Sequence, residues 1–212
     1  MPSSKIKKSL SSSRLSTYEA VVFNGTALST EQALKLYAWN AQVSAAFFAP
    51  LHLCEVVIRN AVSEALEQKY GSNWPWNTTF EHSLPNPSKG YSPRKDLINA
   101  RQGMTTTGKV IPELKFVFWE KLLTKRFDDR LWTPYLFTVF PHYDTSLSVP
   151  LMRNRLRILL EKVRGLRNRI AHHEPIIARD LDVDFKNIDA LIQYRCKDTA
   201  FWTYKNQLVT PL

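Results

Sequence analysis

The residues best suited to chemistry lie close together near the end of one basic stretch: Arg167, Asn168, His172 and His173. Asn168 precedes His172 by four residues, so on a helix the two side chains share a face and the amide can hydrogen-bond the imidazole. An oriented imidazole suits general acid–base catalysis, and a guanidinium suits the binding of a phosphate. Pro175 disfavours helical geometry at the residue before it, which predicts that His172 lies in the exposed last turn of its helix.

Arg167 falls within the apolar stripe of that predicted helix, which is formed by Leu156, Leu159, Leu160, Val163, Leu166 and Ile170. Because a buried guanidinium is costly unless it is paired or faces a cleft, two interpretations are open. One is an internal ion pair, for instance with Glu55, and the other is a groove in which Arg167 meets a phosphate. Five helical steps also separate Arg167 from His172 by about 140°. The two side chains therefore converge only if the last turn loosens, the arginine bends round, or a second subunit contributes.

Two other patterns are incomplete. His172 and His173 are adjacent, and adjacent side chains on a helix point about 100° apart, so they do not readily share one metal ion. Neither has a His, Cys or acidic residue at the spacing of a helical zinc motif. We therefore expect no metal and no cofactor. Gly103–Lys109 has the spacing of a phosphate-binding loop, but Val110 stands where Ser or Thr would hold magnesium, and no strand precedes it. We interpret this segment as a flexible connector.

The composition favours a cytoplasmic globular protein. The chain has 212 residues, of which 44% are hydrophobic and 23% charged, and this is ordinary for one folded domain. It contains no run of about 18 apolar residues and no apolar segment behind the N-terminal lysines, so we expect neither a membrane span nor a signal peptide. Cys54 and Cys196 are too few for a disulfide framework or a cysteine-rich zinc site.

The net charge of +10 is concentrated in two segments. Residues 1–14 hold four basic and no acidic side chains, and residues 151–179 hold eight basic and two acidic ones. Such clusters attract polyanions, because neutralised phosphates release their counterions. A basic tail and a solvated helix face explain the same charges, so this pattern suggests nucleic acid without establishing it.

Apolar residues recur mostly at helical spacing, and strand-like alternation is scarce. We predict an all-α bundle of about five or six helices, with a disordered basic tail over residues 1–16 and one helical domain over 17–212. Ser29 or Thr30 caps a first helix that Pro50 interrupts, and Gly71 ends a second one.

A long connection is expected over residues 71–95, and Pro112 opens the next helix. Ser148 and Pro150 then mark the start of a long helix over about 151–173. Asp182 and Asp198 are expected to cap the last two helices.

The run Arg167-Asn-Arg-Ile-Ala-His172 resembles the Arg-x(4–6)-His signature of HEPN-domain ribonucleases, in its Arg-Asn-x-x-x-His form. The chain is most similar to the Abi-like (abortive infection) branch of that superfamily. Supporting stretches are Leu36–Asn40, Glu55–Asn60, Pro112–Trp119, Arg167–Pro175 and Asp198–Trp202. The likeness covers about residues 28–205.

The resemblance implies a helical bundle that forms a homodimer, so that two Arg/His sets face one cleft. It also implies metal-independent RNA cleavage, in which the ribose 2′-hydroxyl attacks the adjacent phosphate and leaves a 2′,3′-cyclic phosphate and a 5′-hydroxyl. His172 would transfer protons, Arg167 would stabilise the phosphorane, and Asn168 would orient the histidine. The likeness further suggests a toxin-like effector in bacterial phage defence, and leaves open whether an antitoxin or other regulatory partner restrains it.

Further residues receive auxiliary roles under this resemblance. Glu55 would hold Arg167 in place beside Arg59, although Glu55 and Arg59 also suit a simple ion pair along one helix. Arg164 and Arg169 would contact RNA. The role of His173 stays open between proton transfer, RNA binding and capping of the helix end.

Two tryptophans of the long connection, Trp74 and Trp76, are candidates for stacking on RNA bases. The alternative function is a non-catalytic RNA-binding or protein-interaction module on the same fold.

Overall fold

The computed structural model describes residues 3–23 and 29–210, and the regular secondary structure of this part of the chain is helical, with no strand. The predicted all-α class is therefore confirmed. Eleven α-helices occur in the described residues, more than the five or six predicted, because the connections themselves contain short helices. The helices are α1 (Ser3–Leu10), α2 (Ser12–Val22), α3 (Thr30–Tyr70), α4 (Thr78–Ser83), α5 (Pro93–Ala100), α6 (Thr107–Glu113), α7 (Phe116–Leu122), α8 (Thr133–Val139), α9 (Val149–Ala171), α10 (Leu181–Arg195) and α11 (Lys197–Asn206).

The central element is α3, a single helix of 41 residues. Ser29 caps its start, and Gly71 ends it with a φ of 85°, as the sequence predicts. The predicted break at Pro50 is wrong. An internal proline costs about 3 kcal/mol, but Phe47 and Leu51 beside it are almost fully buried in the core. Their packing outweighs the missing backbone hydrogen bond, so the helix continues.

The N-terminal segment is ordered, so the predicted disordered tail is wrong for residues 3–16. These residues belong to α1 and α2, and the predicted domain boundary at residue 17 falls inside α2. Leu15 and Tyr18 on α2 are buried against Ala33 of α3, and Lys7 on α1 pairs with Glu19 at 2.7 Å. In a serine-rich segment these two residues give no clear helical pattern, and their burial depends on packing against the next helix, α3. Residues 1 and 2 lie outside the described part.

The main core is strongly aromatic and is enclosed by α3, α7, α8, α9 and α10. Trp74 packs edge-on against Trp119 at 6.2 Å between ring centroids. Its indole N–H donates to Ser63 on α3 at 3.1 Å. The connection predicted over 71–95 therefore contains α4 and the start of α5, and it contributes a core side chain.

In the second half of the chain, the sequence predicts which segments are helical better than it predicts where each helix begins. The long helix α9 begins at Val149, close to the prediction, but Asp180 and Cys196 cap α10 and α11 in place of Asp182 and Asp198. Pro112 lies within α6 and does not open the next helix. Because α6 begins at Thr107, the predicted connector Gly103–Lys109 is partly helical.

One helix in the described residues, α3, is long and apolar enough to cross a membrane, with a mean hydropathy of 1.5 over its most apolar window. Of that window, 39% is buried against the rest of the fold. The central helix of a folded core passes the same test, so length and composition do not distinguish a core helix from a membrane span.

Candidate functional site

A groove of about 930 Å³ runs along α3 and reaches the C-terminal end of α9. Tyr18 and Tyr37 line it together, with ring centroids 4.9 Å apart. One wall is the apolar face of α3, and the opposite wall comes from α9. The charged and imidazole side chains that line the groove are those of His52, Glu55, Arg59, Arg167 and His173.

Arg167 lies on the wall formed by α9 and pairs with Glu55 on α3, at 3.5 Å between Nε and Oε2. Its side chain is 44% exposed, so it is not a buried charge. Arg167 therefore has an internal carboxylate partner, as one interpretation of the sequence predicts, and it also lines an open groove. That it meets a phosphate there stays a prediction. A guanidinium in this position can meet a phosphate without leaving Glu55.

Glu55 joins two guanidiniums, because its other carboxylate oxygen pairs with Arg59 one turn along α3. Arg59 also donates to the backbone carbonyls of Ile111 and Pro112, at 3.2 and 3.0 Å. These contacts fix Arg59 and leave Glu55 oriented toward Arg167. Glu55 is thus a carboxylate held between two arginines, and its supporting role in catalysis stays a prediction.

The end of α9 separates the two histidines. His172 is the C-terminal cap, with φ −92° and ψ 8°, and its N–H donates to the Asn168 carbonyl at 2.9 Å. His173 has a φ of 55°, in the left-handed region. The N–H groups of His173 and Glu174 donate to the carbonyls of Ile170 and Arg169, at 3.0 and 2.8 Å. This is a Schellman turn with a histidine in the place usually taken by glycine.

Because of this turn, His173 lines the groove together with Arg167, whereas His172 is exposed outside it. The geometry therefore brings together Arg167 and His173, the histidine whose role the sequence leaves open. The Asn168 amide oxygen accepts from Arg167 at 3.5 Å. Among the described residues, the Asn168 side chain makes no hydrogen bond to the His172 imidazole.

Arg164 and Arg169, the predicted RNA contacts, already have partners in the fold. Arg164 pairs with Glu120, which is almost fully buried. Arg169 donates twice to the Pro175 carbonyl, at 3.0 and 2.8 Å, and lies 3.5 Å from Glu174. Arg164 thus ties α9 to α7, and Arg169 braces the turn at the end of α9.

The two tryptophans predicted to stack on RNA bases, Trp74 and Trp76, differ in their exposure to solvent. Trp74 is completely buried, so its predicted stacking on RNA bases is wrong. Trp76 is partly buried against the same core.

Sequence reasoning missed Arg14, Tyr18 and His52. Arg14 donates to the His173 carbonyl at 3.0 Å, so α2 braces the strained turn. Burial raises the pKa of Tyr18, and nearby Tyr37 acts in the same direction while Arg14 opposes it. His52 could have been found from its spacing, since it lies three residues before Glu55 and seven before Arg59, on one helix face.

No group of three His, Cys, Asp or Glu side chains that could hold a metal ion occurs within residues 3–23 and 29–210. Comparisons with protein-family models, with curated proteins and with solved structures found no match.

Proposed function

We propose that this protein is an endoribonuclease of the HEPN type, which cleaves RNA through attack of the 2′-hydroxyl and leaves 2′,3′-cyclic phosphate and 5′-hydroxyl ends. The observation that carries the proposal is the meeting of Arg167 and His173 in one open groove, with Arg167 fixed by Glu55. The resemblance of the Arg-Asn-x-x-x-His run to the HEPN signature supports the same chemistry. By that resemblance, the protein acts in the cytoplasm as a toxin-like effector of phage defence.

The chemistry requires charge stabilisation and proton transfer. As the 2′-oxygen attacks, negative charge builds up on the phosphorane oxygens, and Arg167 donates hydrogen bonds to them. An imidazole accepts the 2′-hydroxyl proton, and the departing 5′-oxygen takes up a proton. The sequence motif favours His172 for proton transfer, whereas the groove favours His173, because His173 shares the groove with Arg167.

A second copy of the chain is part of the proposal. His172 is exposed outside the groove of its own chain, and pairing about a two-fold axis would let it reach the groove of the partner. The apolar residues of α3 that border the groove would supply the contact surface. Phe48 is 66% exposed and Val56 41% exposed.

The proposal is tested by incubating RNA with purified protein in EDTA and mapping the ends produced. Wild type should give cyclic phosphate ends, and Arg167→Ala should lower the rate by about 10²–10³-fold. His172→Ala and His173→Ala are compared directly. The variant whose cleavage rate falls by about 10²–10⁴-fold identifies the imidazole that transfers the proton.

Arg157→Ala is the matched control. Arg157 lies on the same helix but pairs with Glu161 at an exposed position outside the groove, so its loss should leave cleavage within about threefold of wild type. Salt-sensitive RNA binding without any cleavage by wild type would instead support the non-catalytic module.

A further inference from the structure

The groove contains a second imidazole, His52, which neither the Arg-x(4–6)-His signature nor the helix end accounts for. His52 lines the groove from the α3 wall, three residues before Glu55. Three residues correspond to about 4.5 Å along a helix axis. His52 therefore lies within one turn of the carboxylate that contacts Arg167.

Two contacts show that the chain from Arg167 to Ile176, across the end of α9, runs along the groove in the direction opposite to α3. Glu55 meets Arg167, while the Asn40 amide oxygen accepts from the backbone N–H of Ile176 at 2.8 Å. His173 lies between Arg167 and Ile176 in the chain, and His52 lies between Asn40 and Glu55. Both imidazoles therefore lie along the part of the groove between these two contacts, His52 on α3 and His173 just after the end of α9.

Both imidazoles are available to a bound molecule. His52 and His173 are exposed residues, and within the described part of the chain neither ring makes a hydrogen bond or an ion pair. Glu55 and Arg59, by contrast, are held by each other and by backbone carbonyls.

We infer that His52 is the second proton-transfer residue of this groove and acts on the opposite side of the scissile phosphate from His173; this inference rests on the proposed function. One imidazole takes the 2′-hydroxyl proton as the bond from O2′ to phosphorus forms. The other gives a proton to O5′ as the bond from phosphorus to O5′ breaks. Attacking and leaving oxygens lie in line on opposite sides of phosphorus, so groups from opposite walls match the geometry that the step requires.

The test compares the pH dependence of RNA cleavage by wild type, His52→Gln and His173→Gln. Wild type should give a bell-shaped profile, and each variant should lose one limb with a rate lower by about 10²–10⁴-fold. The other titratable or charged groups that face the groove are Tyr18 from α2, Tyr37, Glu55 and Arg59 from α3, and Arg167 from α9. They are present in both variants, so loss of opposite limbs assigns the two protons to the two histidines.

His82→Gln is the control, since His82 is an exposed histidine on α4 and outside the groove. Its profile should match that of wild type. If wild type cleaves and His52→Gln keeps both limbs at an undiminished rate, His52 has no catalytic role and the proposed nuclease stands. If wild type itself produces no cyclic phosphate ends, the proposed function and this inference fail together.

Discussion

His172 and His173 are neighbours in the chain but lie in different surroundings, because the backbone turns between them just after α9 ends. The left-handed backbone of His173 places this residue in the groove, while His172, the C-terminal cap of α9, stays outside. A non-glycine residue in this conformation costs about 1–2 kcal/mol. Strain of this kind often accompanies function, and here it lies near Arg167, which pairs with Glu55 and lines the groove.

Replacing each histidine by glycine separates stability from activity. His173→Gly relieves the strain, and after allowance for the greater freedom of glycine in the unfolded chain we expect a gain of up to about 1 kcal/mol. His172→Gly relieves nothing at φ −92° and should cost about 0.5–1 kcal/mol. Denaturant midpoints measure both changes, and RNA cleavage by His173→Gly should fall by about 10²-fold or more. A destabilised His173→Gly variant that still cleaves would contradict the functional reading of the strain.

At the scale of elements, the sequence predicts what local spacing controls and misses what distant contacts control. The course of α9 and the pair between Glu55 and Arg167 follow from helical periodicity and from the cost of an unpaired guanidinium. The ordered N-terminus depends on the packing of Leu15 against α3. The position of His173 depends on one backbone turn that no side-chain pattern specifies. Pro50 belongs to the same group, because core packing decides whether its helix continues.

The short helices α4 and α5 are tied together by Glu81, and this contact should make stability depend on pH. Glu81 accepts from Arg94 at 2.8 Å and from Arg101 at 2.6 Å. These hydrogen bonds, that of Arg94 first, hold the pKa of Glu81 below the ordinary value of 4.5. Because the folded pKa is the lower one, the stabilisation is present above about pH 4.5 and is lost as the pH falls through the folded value.

Glu81→Gln should therefore lower the free energy of unfolding at pH 7 by roughly 1–3 kcal/mol, and the difference from wild type should shrink below about pH 4.5. Urea unfolding at a series of pH values measures this. Glu161→Gln is the control, since its pair with Arg157 is exposed and should contribute at most about 1 kcal/mol. A constant difference between Glu81→Gln and wild type across the acid range would show that the carboxylate charge is not the cause.

At the scale of the whole molecule, the basic stretch over residues 151–179 is largely neutralised within the fold. Each of its seven arginines has an acidic partner, and most of these acids come from elsewhere in the chain. The pairs are Arg153–Asp128, Arg155–Asp144, Arg157–Glu161, Arg164–Glu120, Arg167–Glu55, Arg169–Glu174 and Arg179–Asp184. Local charge counting therefore overstates the polyanion surface of this segment. Under the proposed function, recognition of RNA would depend on the shape and side chains of the groove more than on a broad basic face.

The same groove gives a prediction about assembly. Ala41, Ala45, Phe48 and Val56 follow one another at helical spacing on α3, and together they form an apolar stripe that lines the groove. The stripe has no partner within the described residues, and burying it against a second copy would remove Phe48 and Val56 from water. Light scattering should give about twice the chain mass of 24.5 kDa for wild type, and Phe48→Glu should shift the protein to the monomer.

Phe201→Glu provides the matched control, because Phe201 is equally exposed, at 65%, but lies on α11 away from the groove. This variant should stay dimeric and active. If two copies share the cleft, Phe48→Glu should lose dimerisation and RNA cleavage together while its helical circular dichroism stays unchanged. A monomeric Phe48→Glu that cleaves RNA at the rate of wild type would mean that one groove suffices, and that His172 has no substrate to reach.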